Sequence, residues 1–280
     1  MSNEERQAFQ QTVWEYYLAH GRHDLPWRQA DANGTLDPYK IMVSELMLQQ
    51  TQVSRVWPKF VQFTATFPNF AALATAPLAS VLQAWSGLGY NRRAKFLWQT
   101  AQHVASQYNG KLPATQDELV RLPGIGSNTA GAILVYAFDQ PVVFIETNIR
   151  TVFIHHFFAD HPDKIADKAI VELVQTSLPG KTDEISPREW YWALMDYGTW
   201  LKQTVGNRSR ASAAYAKQST FQGSRRQIRG QVLRLLGQAP YTLEKLQAEI
   251  TDERLPAVLA DLRAEGFVEQ HEQQFCLAGA

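Results

Sequence analysis

The segment Leu122–Arg150, LPGIGSNTAGAILVYAFDQPVVFIETNIR, joins a Pro-Gly-x-Gly turn, a helix of small residues and a carboxylate, Glu146, that closes an apolar run. Those residue types in that order suit gripping a DNA phosphate and working beside it. Gly124 and Gly126 can take positive φ and bring backbone N–H groups up to an anion, helped by the positive end of a helix that begins near Ser127. An ordinary helix connection is the other reading of such a turn. A second carboxyl, Glu45, lies among Ile41, Met42, Val43, Leu46, Met47 and Leu48. On a helix, Glu45 and Gln49 share one face, while Ser44, Leu48 and Thr51 share another. With little water around it a carboxyl has a raised pKa and can hold a proton near neutrality. On an exposed face Glu45 would be an ordinary solvated glutamate.

Positioning these groups falls to helices. Apolar spacing predicts helices over 4–20, 39–52, 55–66, 78–85, 90–108, 115–121, 127–138, 147–158, 165–177 and 187–202, with Pro58, Pro68, Pro77, Pro113 and Pro123 at the joints. Strand signals are nearly absent before residue 265, so the body reads as all-α. After the boundary STFQGS (Ser219–Ser224), three short helices and two small strands around a polar turn suggest a winged-helix-like module over 225–280.

With 280 residues and 45% of them apolar, the chain can bury one large core, or two moderate ones plus a small module. No run approaches the roughly 18 apolar residues of a membrane span. The start, MSNEERQAFQ, lacks the cationic-then-apolar order of a secretory signal, so a monomer without membrane association, in the cytoplasm or at the nucleoid, is expected. The single cysteine, Cys276, excludes an internal disulfide, a cysteine zinc site and a cysteine-ligated iron–sulfur cluster. Formal net charge is zero, but charge is segregated. Lys202, Arg208, Arg210, Lys217, Arg225, Arg226 and Arg229 form a basic run without an acidic residue, and acidic residues dominate from Glu244 onward. A phosphate-tracking stripe and a solvated loop are the two readings of that run. Adjacent His155 and His156 point in different directions on a helix and do not have metal-ligand spacing. Trp57, Trp85, Trp98, Trp190, Trp192 and Trp200 fall in apolar helical settings and are expected in the core. Trp27 stands in a polar connection, and Asp196 reads as a helix-packing or capping carboxylate.

Four segments in this order and at these separations, LPWR (Leu25–Arg28), PYKIMVSELMLQQTQV, WSGLGYNRRAKFL and LPGIGSNTAGAI, resemble MutY-type adenine DNA glycosylases of the helix-hairpin-helix superfamily over roughly residues 10–200. Endonuclease III shares the hairpin but matches less well at MLQQTQV. The resemblance implies a two-lobed all-α glycosylase body. A six-helix lobe over 25–140 would carry the hairpin, and a second helical lobe would comprise 1–24 plus 141–220. It implies base flipping and hydrolysis of the N-glycosidic bond of an adenine mispaired with 8-oxoguanine or guanine in double-stranded DNA. Such a bond breaks through an oxocarbenium-like sugar, which needs one carboxylic acid and one carboxylate. The family's acid falls on Glu45, which would protonate adenine N7, and its carboxylate falls on Glu146. Asn148 matches an asparagine that helps hold that carboxylate, or serves as a helix N-cap. The DNA-contact set implied is Arg28, then Gln49, Gln50 and Thr51, which match residues entering the gap in the base stack, Leu88 and Tyr90 beside the orphan base, and Leu122, Gly124, Ile125, Gly126, Asn128 and Thr129 at the hairpin. Asn128 stands where endonuclease III has its Schiff-base lysine, so a monofunctional enzyme is implied.

The chain departs from the pattern in three places. Glu146 replaces aspartate, which moves the charge by one methylene, and a roughly 1 Å misplacement can cost on the order of a hundredfold in rate. The four cluster cysteines fall on Lys202, Ser209, Ser212 and Gln218, so a clusterless protein is expected, with a monovalent cation at the hairpin as a possible companion. The family's usual C-terminal domain is not recognisable, and Asn91 stands where a second tyrosine often follows Gly-Leu-Gly-Tyr. The C-terminal module could dock a protein partner or present Arg225, Arg226 and Arg229 to DNA. A non-catalytic DNA-damage-binding protein, or a glycosylase of the same fold for another modified base or crosslink, are the alternative functions.

Overall fold

The computed structural model describes residues 1–180, 184–217 and 219–280. Along them run α1 (Asn3–His20), α2 (Pro38–Leu48), α3 (Val53–Thr66), α4 (Phe70–Thr75), α5 (Leu78–Trp85), α6 (Arg92–Gln107) and α7 (Gln116–Leu119). There follow α8 (Ser127–Phe138), α9 (Thr147–Phe157), α10 (Asp167–Ser177), α11 (Pro187–Thr204) and α12 (Arg225–Leu236). The chain ends with β1 (Tyr241–Thr242), α13 (Leu243–Glu249), α14 (Leu255–Ala264), β2 (Val268–His271) and β3 (Gln274–Leu277). The fold is helical, as the periodicity requires. Among the described residues no helix is long and apolar enough to cross a membrane.

Local chemistry explains the element ends. α11 starts at a capping box in which Ser186 and Glu189 satisfy each other's backbone N–H groups, with Pro187 at the first helical position. α3 buries Val56, Phe60 and Phe63, one stripe at helical spacing. α4 was not expected from the sequence; Asn69 starts it by accepting a bond from the Ala72 N–H at 2.9 Å. The helix expected over 39–52 stops at Leu48, because Gln50 takes a left-handed backbone (φ 55°). Gln49, Gln50 and Thr51 therefore form a turn, and Gln49 does not share a helical face with Glu45.

The described chain divides into two compact units, Met1–Ile41 with Ala114–Arg121 and Ile125–Lys217, and Met42–Pro113 with Leu122–Gly124 and Gln218–Ala280. This partition differs from the expected residue ranges. In the first unit α8 is buried on every face from Ala130 to Ala137 and packs against α11. In the second, the C-terminal module joins α5 and α6: Gln83 Nε2 donates to the Gly237 carbonyl at 2.9 Å, Lys95 to the carbonyls of Glu265 and Gly266, and Arg92 pairs with Glu265 at 2.8 Å. That module holds α12, α13, α14 and an antiparallel sheet in the order β1-β3-β2. The strand β1 adds a third strand to the two expected, pairing Tyr241 with Phe275.

Candidate functional site

In the first unit Glu146 occupies the N-cap of α9, on extended backbone and without a side-chain cap bond. The stretch before it is held by bonds at Val142, Phe144 and Ile145. Asn128 Oδ1, in the first turn of α8, accepts the Ile145 N–H at 3.0 Å. The Tyr191 hydroxyl accepts the Phe144 N–H at 3.1 Å and donates to the Val142 carbonyl at 3.1 Å, while its ring stacks on Phe144 with centroids 4.3 Å apart. Small residues in α8 allow the approach, since a Cβ on Gly131 would lie 3.0 Å from that of Phe144.

Burial pushes the Glu146 carboxyl above its ordinary value, opposed by the positive charges of Lys202 and then Arg150. Arg150 also grips Asp167 through two bonds of 3.0 and 2.7 Å. Lys202, from the last turn of α11, donates to Asn148 Oδ1, and burial brings its ammonium down to about 8 against the opposing charge of Glu146. Asn148 is not the N-cap. Its Nδ2 donates to the Met195 carbonyl at 3.2 Å and to Thr199 Oγ1 at 3.1 Å, which aims its oxygen at Lys202. α9 and α11 can close this far because position 198 is glycine, where a Cβ would lie 2.5 Å from the Asn148 carbonyl oxygen. In the sequence Lys202 stands out only as a charge of the basic run and as a position at cluster-ligand spacing; its place four residues after Gly198, on one face of α11, is the signal that could have linked it to Glu146.

A second carboxylate of this unit has a different setting. Asp196 accepts from the backbone N–H of Arg22 at 2.7 Å, from Arg22 Nε at 2.8 Å and from both terminal nitrogens of Arg28 at 2.8 and 2.9 Å. Burial alone would raise its pKa, but the bonds and charges of Arg28 and Arg22 hold it below the usual aspartate value. Arg28 is thereby removed from the expected DNA-contact set: its side chain is 5% exposed and its guanidinium is occupied by Asp196. Trp27 is buried too, so its polar neighbourhood in sequence misled, whereas Trp200, expected in the core, is 38% exposed.

In the second unit Glu45 is the half-buried residue of an otherwise buried stretch of α2 from Met42 to Met47. Arg93, buried and absent from the sequence-based set, organises the turn after it. Its Nη1 donates to the carbonyls of Leu46, Met47 and Gln49 at 2.6, 3.0 and 2.6 Å, capping the C-terminal end of α2. Its Nη2 reaches Thr51 Oγ1 at 3.1 Å and the Gly89 carbonyl at 3.2 Å, so one guanidinium ties the Gln49–Thr51 turn to the Gly-Leu-Gly-Tyr turn. Burial lowers its pKa to about 10. Tyr90, on left-handed backbone (φ 48°), lies between Arg93 and Arg226, with centroid distances of 5.2 and 5.4 Å. Arg226 also donates to the Tyr90 hydroxyl and to Ser219. Leu88 is buried.

At the hairpin Gly124 has φ 75°, and a Cβ there would lie 2.6 Å from Phe96, so glycine is required twice over. Gly126 does not take the positive φ expected of it: φ is −85°, the residue caps α8 through its backbone, and a Cβ would meet nothing within 4 Å. Leu122 and Ile125 are buried anchors of the turn, while the Asn128 side chain is engaged by Ile145. Thr129 is half-buried in the same first turn of α8.

The basic run does not form one stripe. Lys202 turns inward, Arg225 pairs with Asp261 at 2.5 Å, Arg229 with Glu265 at 2.7 Å, and Arg226 is held at Tyr90. Arg208, Arg210 and Lys217 remain exposed. Of the positions at cluster-ligand spacing, Ser209 donates to Asn207 Oδ1 at 2.5 Å and Ser212 to Asp167 Oδ1 at 3.3 Å, both buried, and neither they nor Lys202 fit an iron–sulfur cluster. Gln218 lies outside the described residues. Paired strands also bring Glu269, His271 and Cys276 within 4.8 Å of one another on the surface, with His271 and Glu269 3.4 Å apart.

Residues 43–176 match the family model of the HhH-GPD superfamily base excision DNA repair proteins. An adenine DNA glycosylase of Mycolicibacterium smegmatis is 34% identical over 282 aligned residues, covering 93% of each chain. Another, from Buchnera aphidicola subsp. Baizongia pistaciae, is 39% identical over 172 residues; the match takes in 61% of this chain and 48% of that one, so the chain spans about half of the Buchnera relative. Among solved structures, a thermostable thymine-DNA glycosylase aligns with a TM-score of 0.58 and 25% identity over 70% of this chain and 87% of that one. A non-covalent endonuclease III–DNA complex aligns at 0.54 and 17% identity, over 73% of this chain and 87% of that one, a likeness of fold.

Proposed function

This chain belongs to the HhH-GPD superfamily of base excision DNA repair proteins, among the adenine DNA glycosylases, and on that footing we propose that it excises adenine mispaired with 8-oxoguanine or guanine. The half-buried Glu146 carboxyl, facing Lys202 and fixed by the bonds to Ile145 and Phe144, is the observation that carries the reading. Cleavage begins with a duplex whose adenine has left the stack. Glu45 protonates the leaving base, so that the glycosidic electron pair departs onto a neutral purine. Glu146 supplies the negative charge that the sugar cation needs. Burial works against that charge, and Lys202, followed by Arg150, works for it. Water then adds to C1′ and leaves an abasic site; Asn128 provides no amine for a lyase step.

We further propose that the enzyme works without an iron–sulfur cluster, its loop held by the oxygen networks of Ser209 and Ser212. The buried side chains of the turns orient backbone for phosphate, and Gln49, Gln50, Thr51 and Tyr90 meet the distorted duplex. The C-terminal module, read as winged-helix-like, offers an acidic surface for a protein partner. Incubation with duplexes carrying adenine opposite 8-oxoguanine or guanine should produce alkali-labile sites, suppressed by Glu45→Gln. Tight binding without strand breakage on either mispair would show a damage-binding protein instead. The similarity to a thymine-DNA glycosylase supports a second substrate class, which a panel of modified-base duplexes separates.

A further inference from the structure

The outer face of the C-terminal hairpin gathers three side chains that excision of a base does not use. β2 and β3 are joined by a two-residue turn, Glu272 and Gln273, and the left-handed backbone of Glu272 (φ 53°) suits the tight reversal that sets their register. In that register Glu269 lies directly opposite Cys276, and His271 lies opposite Gln274. Alternation along the strands buries Val268, Phe275 and Leu277 on one face and leaves Glu269, His271 and Cys276 together on the other. Each of the three offers a ligand atom, a carboxylate oxygen, an imidazole nitrogen or the thiol sulfur, and these atoms all lie within 4.8 Å of one another. His271 Nε2 and Glu269 Oε2 are 3.4 Å apart, and Cys276 Sγ is 3.9 Å from the Glu269 carbonyl oxygen.

We propose that Glu269, His271 and Cys276 form a zinc site, with water completing a tetrahedral set. One thiolate, one imidazole and one carboxylate suit the borderline-soft zinc ion, whereas magnesium and calcium take oxygen ligands throughout. Zinc bonds of about 2.0–2.3 Å in a tetrahedron place neighbouring donor atoms roughly 3.3–3.8 Å apart. The His271–Glu269 pair already has that spacing, and rotation of side chains on an open face brings the Cys276 sulfur in. The thiol proton passes to solvent as the sulfur binds, and the imidazole binds through a neutral nitrogen. A single cysteine rules out a site built from cysteines, but this mixed set needs only one. Its members are also joined by strand pairing, which spacing along the chain does not display. β2 is an edge strand held by β3 alone, so the bound ion would cross-link the two strands and stiffen the hairpin.

The test titrates the 280-residue chain with zinc alone and, as a spectroscopic probe, with cobalt(II). Zinc should bind one ion per chain and slow the reaction of Cys276, the single cysteine, with a thiol reagent by about tenfold or more. Cobalt should give the intense visible bands of a tetrahedral ion together with a thiolate-to-metal charge-transfer band. Cys276→Ser should remove that charge-transfer band. His271→Ala and Cys276→Ser should each weaken zinc binding by on the order of a hundredfold, at least what the loss of an outer partner costs. Glu269→Gln, which keeps the shape and removes the charge, should weaken it by about tenfold. All three substitutions fall on the outer face, and circular dichroism without metal checks that each variant is folded. Zinc should raise the thermal midpoint of the wild-type chain and leave that of Cys276→Ser unmoved. An octahedral cobalt spectrum without charge transfer, or full thiol reactivity at saturating zinc, overturns the proposal. So does zinc binding of equal strength in the wild-type chain and the three variants, which marks an adventitious ion only. None of these measurements involves DNA, so their outcome is independent of whether adenine is excised.

Discussion

Asp196 and Glu146 are two carboxylates of one helical unit, and their surroundings pull in opposite directions. Asp196 is enclosed by two arginines and a backbone N–H, so its charged form is the stable one. Glu146 has its charge opposed by burial and only partly restored by Lys202 and Arg150. A fully bonded carboxylate holds a fold together but has no lone pair left for a substrate. An under-solvated one weakens the fold and is therefore available for chemistry. Glu265 in the other unit repeats the first pattern with more exposure: Arg92, followed by Arg229, lowers its carboxyl to about 2.

The sharpest way to break this comparison is to neutralise each group. Asp196→Asn strands the buried Arg28 guanidinium and should destabilise the protein by about 3–5 kcal/mol in urea unfolding at neutral pH. A loss below about 1 kcal/mol would mean that Asp196 is not the hub of its unit. Glu146→Gln should lower single-turnover adenine release by on the order of a hundredfold or more while leaving the urea midpoint level or raised. A fall in stability like that of Asp196→Asn would erase the distinction. Glu265→Gln should cost about 1 kcal/mol or less, because the pair is partly open to water. If it matched Asp196→Asn, exposure would not be what separates the two hubs.

Acid extends the comparison in its mildest form. A carboxyl depressed in the folded state adds stability that is present above its unfolded value near 4, and loses it as pH falls through the folded value. Protection at Glu265 should thus fade between about 4 and about 2, and hydrogen exchange at Glu265 and Gly266 should accelerate across that window. The raised Glu146 runs the other way, binding its proton more readily in the folded protein, so its contribution declines as pH rises.

Much of the helical body is legible in the sequence. The helices at 78–85 and 127–138 fall where apolar periodicity puts them, since each buries a face that repeats every turn. The departures are local or long-range. α2 ends early because Gln50 turns left-handed while Arg93, some forty residues on, caps the freed carbonyls, and a pattern of apolar spacing contains neither event. Gly124 was legible as a turn glycine, but which of the two glycines needed its freedom depended on where Phe96 packs.

By itself the sequence determined the helical class, the order of its four motifs, the presence of a single cysteine and the two carboxyls in apolar settings. These follow from composition and from spacing along one chain. Tertiary structure alone decided which charge each cation meets: Arg28 and Arg22 on Asp196, Arg226 on Tyr90, Lys202 at Glu146 and Asn148. The cause is physical, because the cost of burying a charge is met only by partners that folding brings from distant positions, and no local periodicity encodes such a pair.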